Sequence, residues 1–295
     1  MSKAISKSGF PSTEWLKTRY PYDAGTRSKR IEKKVLDHFS GRFRLRILDI
    51  GSGLGANIRY YGPLFSSSQE WTLLEIEPRL ADDSLEELKA WASREGRSVR
   101  ALPHGLSIEN EDGEISIRMK QASFFDLKSS DDLGRYDLIT ANAFFDLIPQ
   151  DRFAAFASIL SSSHKPLLAT LNYESTKFRP EDRKDRDFIA QYESHMMRSR
   201  DIGPSMGPRC CARMNEILTA LGYCVYAGKS TWKIPAQDKA MMNFMFGFLE
   251  DALGEMLGGS QERDEFDRWM KKKSALLERN RLELSVNHMD FFAKP

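Results

Sequence analysis

The sequence predicts an α/β fold: a mostly parallel sheet with helices on both faces. Three observations carry this. The run Arg46-Ile47-Leu48-Asp49-Ile50 reads as a buried strand that breaks into Gly51-Ser52-Gly53-Leu54-Gly55, and a helical pattern starts at Ala56-Asn57. A second apolar run, Trp71-Thr72-Leu73-Leu74-Glu75, is followed by Pro78, which opens another helix. Strands and helices then keep alternating, the pattern of parallel strands joined by helical crossovers.

The 295 residues suit one large domain, or a domain carrying an insertion or cap. A hydrophobic share of 41% and a charged share of 29% are those of a soluble globular chain. Forty-four basic and 42 acidic residues leave a net charge of +2, so no global charge argues for nucleic acid or an anionic membrane. Cys210, Cys211 and Cys224 are odd in number and two are adjacent, which fits neither a disulfide framework nor a metal site. No apolar run is long enough to span a bilayer, and no apolar leader follows Lys3 and Lys7. The expectation is a cytoplasmic protein with no metal, no membrane and no nucleic-acid partner.

In chain order, residues 1–11 are polar or small and are expected to be loose. Residues 12–27 set Trp15, Tyr20 and Tyr22 among Arg19, Asp23 and Arg27. They form either a helix packed on the domain or a lid, so residues 1–27 are set apart as an N-terminal lid or extension. A helix at 28–39 places Ile31, Val35, Leu36 and Phe39 on one face. A strand at 44–50 leads through the glycines to a helix at 56–65, ending near Gly62-Pro63. The strand at 71–75 precedes a helix at 79–95 with Leu80, Leu85, Leu88 and Trp91 on its apolar side. Gly105 to Asn110 and Glu114 to Gln121 alternate around Glu111-Asp112-Gly113, a hairpin whose second arm runs into the third strand of the sheet. A strand at 136–141, a helix at 150–162 and a strand at 166–172 resume the alternation.

Residues 174–207 break the pattern. Arg179, Arg183, Arg186, Arg198 and Arg200 alternate with acids and His195, and Gly203-Pro204 and Gly207-Pro208 close the segment. It reads as an inserted cap over the strand ends, with a helix at 182–198. A helix at 208–221, a strand at 223–234, helices at 238–257 and 262–279, and a last strand at 282–293 complete the chain.

The glycine turn removes Cβ atoms where a ligand must come close. Glu75, 20 residues past Gly55 at a strand end, can accept both hydroxyls of a ribose. Leu48-Asp49-Ile50-Gly51-Ser52-Gly53-Leu54-Gly55 resembles motif I of the class I S-adenosylmethionine-dependent methyltransferases, whose acid lies two residues before the first glycine, as Asp49 does. The resemblance continues through Leu74-Glu75-Ile76-Glu77-Pro78 and through Tyr136-Asp137-Leu138-Ile139-Thr140-Ala141-Asn142-Ala143-Phe144-Phe145-Asp146. It covers residues 28–295, least well at 174–207. It implies a Rossmann-like seven-stranded sheet with an antiparallel last strand, plus the N-terminal and inserted cap segments.

The resemblance also implies roles for single residues, with S-adenosyl-L-methionine as cofactor. Gly51, Ser52, Gly53 and Gly55 would let the backbone approach its amino acid part. Asp49 would organise the turn near the amino group, or simply cap local backbone. Glu75 would hold the ribose, with Glu77 as the alternative, and Ile76 would pack on the adenine. Where the family often has an acid after the third strand, this chain has Ser123, which could accept one hydrogen bond, and Phe124, which could stack. Asn142 and Ala143 would border the sulfonium.

Methyl transfer needs a base only if the nucleophile carries a proton to lose. By position the candidates are Asp146, Tyr173, Glu174 and His195, each with a structural alternative. The acceptor side takes Tyr22, Arg27, Asn172 and Arg209. The arginines suggest an acceptor with a carboxylate or phosphate, against the alternative of an ion-paired surface helix. The loop from Asp201 to Arg209 is the better anion grip. The expected function is methyl transfer to a small molecule, with a homodimer as a further expectation. The alternatives are transfer of another group from a related cofactor, and cofactor binding without catalysis.

Overall fold

The computed structural model describes residues 11–111, 113–200 and 202–295, with the backbone alone at Arg200. The polar lead-in 1–10, Asp112 of the predicted hairpin turn and Asp201 of the Gly/Pro loop lie outside the described residues.

Helix α1 (Thr13–Thr26) starts on Ser12, whose hydroxyl accepts the Trp15 N–H at 3.1 Å. Helix α2 (Lys29–Phe39) buries Ile31, Val35 and Phe39, the face that the spacing predicts. Then come β1 (Arg44–Ile50), α3 (Ala56–Tyr61), β2 (Ser68–Glu75) and α4 (Pro78–Arg94). The hairpin region forms β3 (Val99–Leu102), β4 (Gly105–Asn110) and β5 (Gly113–Gln121), followed by α5 (Ser130–Gly134), β6 (Leu138–Asn142) and α6 (Gln150–Ser162). The second half runs β7 (Leu167–Arg179), α7 (Asp185–Met196), β8 (Ser199–Arg200), β9 (Gly203–Pro204), α8 (Cys210–Ala220), β10 (Cys224–Lys229), β11 (Trp232–Pro235), α9 (Lys239–Met256), α10 (Ser260–Glu278) and β12 (Glu283–Lys294).

Strands β5, β2, β1, β6 and β7 are parallel neighbours in that order. β12 joins β7 antiparallel, and β10 joins β12 antiparallel. This is the expected seven-stranded frame with its antiparallel last strand. The sheet continues to ten strands, because β4 and β3 extend the β5 edge and β11 pairs with β12. The predicted hairpin does run into the third parallel strand, and β3 adds an arm that the sequence reading leaves unassigned. Strand order reverses at β1, which has β2 on one side and β6 on the other. Crossovers leave in opposite directions there, and in open α/β sheets ligands bind at the carboxyl ends of the strands at such a point.

Two elements depart furthest from their predicted extents. β7 runs on to Arg179, so residues 174–179 are strand. The predicted strand at 223–234 breaks at Ser230-Thr231, where Ser230 donates its N–H to the His288 carbonyl at 2.9 Å and its hydroxyl to Asp290 at 2.7 Å. β10 therefore pairs with the second half of β12 and β11 with the first.

The long arms of β7 and β12 carry a core of their own. Trp15 of α1, Trp232 of β11 and Phe244 of α9 pack together, with Phe178, Phe188, Phe266 and Trp269 deeper in the same cluster. Within it Lys273 of α10 is fully buried and pairs with Asp185 at 2.7 Å, and the Trp269 Nε1–H donates to the same carboxylate at 2.8 Å. Burial pulls the Lys273 pKa down while Asp185 opposes the shift, as a paired charge inside a core requires. The sheet faces carry two further cores, one under α2, α3 and α4 and one under α6 and α8. Among the described residues no helix is long and apolar enough to cross a membrane.

Candidate functional site

The glycine turn joins β1 to α3 with Gly51, Gly53 and Gly55 at φ +58°, +51° and +73°. Side chains rarely adopt this left-handed region. Space adds a second constraint. A Cβ on Gly51 would lie 2.4 Å from the Phe144 ring, and one on Gly53 would lie 3.3 Å from Leu16 of α1. Phe144 and α1 therefore lie directly over the turn.

Glu75 closes the turn from β2. One carboxylate oxygen accepts the Gly53 N–H at 2.9 Å, and the other accepts those of Ile76 and Glu77 at 3.0 and 3.1 Å. Burial raises its pKa and the three backbone donors oppose the rise. Beside it Ile76 is 47% exposed, an open apolar surface next to a fixed acid, while Glu77 stands at the start of α4.

Asp49 is 1% exposed. Its Oδ1 accepts the Asn57 amide N–H at 2.9 Å, and its Oδ2 is buried without a partner. Burial pushes its pKa up to about 7, against the Asn57 hydrogen bond and the Arg27 charge. Asn57 is the hub of the site. Its Nδ2 also donates to Thr140 of β6 at 2.8 Å, and its Oδ1 accepts from Arg27 Nη1 at 2.9 Å. The Thr170 hydroxyl of β7 reaches both Asn57 Oδ1, at 3.2 Å, and Asn142 Oδ1, at 3.0 Å. Asn142 in turn donates to Asp23 of α1 at 3.1 Å, and Asp23 is held by Arg19. One polar chain thus ties β1, β6 and β7 to the N-terminal helix.

Asp49, the glycines, Glu75, Asn142 and Ala143 meet at the strand ends, and Ala143 adopts φ +49° with its N–H on the Thr170 carbonyl. Ser123 lies half-buried past β5, where its hydroxyl accepts the Phe125 N–H at 3.1 Å. Phe124 is buried edge-on among Phe144, Phe145 and Phe156, which leaves Ile76 as the open apolar surface.

The acceptor-side expectations fare differently. Arg27 is 3% exposed, bonded to Asn57 and set against the Tyr60 and Tyr61 rings, so it organises the site from within. Tyr22 donates to Asp238 at the start of α9 at 2.7 Å. The Asn172 amide donates to the Met289 carbonyl at 3.0 Å, and its Oδ1 is buried and unpartnered. Arg209 is exposed and lines a surface groove of about 450 Å³ with Gln150 and Arg213.

Among the candidate bases, Tyr173 donates to Glu193 at 3.0 Å inside the aromatic core of the β7 and β12 arms, and Glu174 is exposed. His195 sits 3.1 Å from Glu255 of α9, which it shares with Arg198. Asp146 follows β6 in the short turn Phe145–Leu147. Its Oδ1 is buried without a partner, and burial lifts its pKa to about 6 while the Arg19 charge opposes. Tyr192 of α7 and Cys210 and Cys211 of α8 feel its charge. Among the described residues no cluster of three or more His, Cys, Asp or Glu is placed to hold a metal.

Asn57, Thr140 and Thr170 have no role in the sequence analysis, whereas Arg19 and Asp23 belong to the segment that it sets apart. The available signal is a polar residue at the sheet-facing start of a helix and threonines inside otherwise apolar strands.

The raised Asp49 pKa has a pH consequence. Between about pH 4 and pH 7 the unfolded chain has lost a proton that the folded chain keeps, so stability falls as pH rises through that window. Asp49→Asn is expected to flatten this fall. Urea unfolding at several pH values checks it, and parallel slopes for the two proteins would refute it.

No protein-family model and no curated protein matches the chain. Solved structures do match. A cyclopropane-fatty-acyl-phospholipid synthase-like protein from Lactobacillus casei ATCC 334 is 13% identical, with a TM-score of 0.51 over 99% of this chain and 95% of that one. The cyclopropane synthase MmaA2 from Mycobacterium tuberculosis is 13% identical, with a TM-score of 0.48 over 96% and 94% of the two chains. The YcgJ protein from Bacillus subtilis is 13% identical, with a TM-score of 0.48 over 90% and 97%. At such identity the likeness speaks of architecture. The fold is the Rossmann-like α/β fold of the class I methyltransferases.

Proposed function

We propose that this chain is an S-adenosyl-L-methionine-dependent methyltransferase acting on a small-molecule acceptor. The observation that carries the proposal is the Glu75 carboxylate, bonded to Gly53 of the glycine turn at the strand ends where strand order reverses. The surrounding residues fit the cofactor. Asp49 Oδ2 and Ser52 Oγ are buried polar atoms without partners at the glycine turn, and Ile76 is open to an aromatic base. Glu75 would hold the ribose, Asp49 and Ser52 the amino acid end, and Asn142 and Ala143 the reacting side.

The bound cofactor would supply an electron-poor methyl group for in-line attack. The chain's own work is then alignment and exclusion of water. Helix α1, fastened by Asp23 to Asn142, covers the turn and suits that task. Asp146 is favoured as the proton acceptor, because Tyr173 and His195 are held by other partners and Glu174 faces solvent. A pKa near 6 lets it take a proton from the acceptor at neutral pH.

Calorimetry with S-adenosylmethionine and S-adenosylhomocysteine tests the cofactor. No binding of either, with ligand in large excess, overturns it. Incubation with methyl-labelled cofactor and a cell metabolite extract, followed by mass spectrometry, tests the acceptor class. Binding without any labelled product would favour a non-catalytic protein. For an anionic acceptor, Arg209→Ala is expected to raise the acceptor KM and leave cofactor affinity unchanged. An unchanged KM removes that grip.

A further inference from the structure

A second cleft, of about 620 Å³, lies between α1, α3 and α4. Lys17 and Tyr20 come from α1, Arg59 from α3, and Glu87, Trp91 and Arg94 from α4. It shares none of the residues of the glycine turn. On α1 the 3.6-residue period sets Lys17 about a quarter turn from Leu16, while Tyr20, four residues after Leu16, borders the face of Leu16 and Asp23.

The charges in this cleft do not balance. Glu87 alone receives Lys17 at 3.2 Å, Arg59 at 3.2 Å and Arg94 at 3.0 Å. One carboxylate among three cations leaves two positive charges, and Glu95 at the rim offsets one of them. Arg59 is the unusual member. It is 5% exposed, its guanidinium carbon lies 3.5 Å from the centre of the Tyr20 ring, and its Nε–H is buried without a partner. A buried donor of a charged group left without an acceptor is costly, and this one belongs to a side chain that lines the cleft. Tyr20, Trp91, Pro21 and Pro63 supply apolar walls beside the charge.

We propose that this cleft binds a small phosphate monoester with a planar apolar part. Lys17, Arg94 and the Arg59 Nε–H meet the phosphate, whose negative charge is drawn by the one positive charge left over in the cleft. The apolar part lies against Tyr20 and Trp91. Such a ligand braces α1 against α4 while the next face of α1 holds Leu16 over Gly53 and Asp23 on Asn142. The site does not depend on methyl transfer, and its test needs no methyl donor.

Calorimetry with phenyl phosphate, inorganic phosphate and benzoate decides it. Phenyl phosphate is expected to bind saturably, more tightly than the other two, and more weakly as salt rises. Lys17→Ala/Arg94→Ala removes two half-exposed side chains and leaves Arg59 on Glu87, so the fold is expected to persist, which a melting curve checks. In that variant the affinity for phenyl phosphate is expected to fall about tenfold or more, or 1.4 kcal/mol. If the double variant unfolds, each single variant should show a smaller loss. The site is overturned if phenyl phosphate fails to saturate at millimolar concentration, if the variants bind it as wild type does, or if benzoate or inorganic phosphate binds equally well.

Discussion

Asn57→Ala is expected to cost about 3–5 kcal/mol of stability, the range for removing one partner of a buried charge. The Asn57 side chain is fully buried and both ends of its amide are used. Without it, Asp49 loses its one side-chain donor, since its Oδ2 already has none. The Arg27 guanidinium, whose Nε and Nη2 are also unpartnered, is left with only the Tyr60 and Tyr61 rings. The melting temperature should fall by roughly 6–10 °C, at about 2 °C per kcal/mol for a chain of this size. Swapping the pair tests the cause. Asn57→Asp alone sets a second carboxylate beside Asp49, whereas Asp49→Asn/Asn57→Asp restores donor against acceptor and gives Arg27 a full counter-charge. The double variant should therefore be more stable than Asn57→Asp by at least about 1 kcal/mol in a mutant cycle. A loss below about 1 kcal/mol in Asn57→Ala would show that the amide is not the hub.

The contrast between Asn57 and the glycines shows what a single sequence can reveal. Gly51, Gly53 and Gly55 announce themselves because backbone geometry restricts the residue type at one position, whatever packs there. Strand β1 and helix α6 fall on the predicted residues because apolar period and flanking turn residues are local. Asn57 depends on partners 8, 30, 83 and 113 residues away in the chain, and no local pattern encodes such distances. Arg27 misleads for the same reason: an arginine among aromatics reads as a ligand grip until its burial is known. The end of β7 is a different case. Thr176 and Phe178 are buried while Lys177 and Arg179 are exposed, a period of two that the sequence does carry. The charges in that stretch mask it, because only one side of this arm is covered, by the aromatic cluster of Phe178 and Trp269. The break at Ser230-Thr231 stays hidden because Asp290, 60 residues on, creates it.

Replacing Glu75 by alanine is expected to weaken S-adenosylmethionine binding by about 100-fold or more, the largest effect on ligand affinity in the site. Hydrogen bonds to a charged group contribute roughly 1.5–3 kcal/mol each, and a ribose offers two hydroxyls to the carboxylate. At about 1.4 kcal/mol per tenfold change, the lower bound for two such bonds already gives two orders of magnitude. The three backbone donors take up part of the carboxylate, yet they also explain its precision. They fix both oxygens before any ligand arrives, so little ordering remains to be done on binding. The same bonds mean that the variant loosens the turn, so calorimetry should be run well below its melting temperature to separate affinity from unfolding. Glu77→Ala is the matched control, two residues closer to α4 and without those anchors. It is expected to change affinity by less than about threefold, within the ordinary range of surface substitutions. If Glu77→Ala abolishes binding and Glu75→Ala leaves it intact, the ribose acid is Glu77. Glu75 then serves only to hold the glycine turn in the shape that Gly53 and Leu16 require of each other.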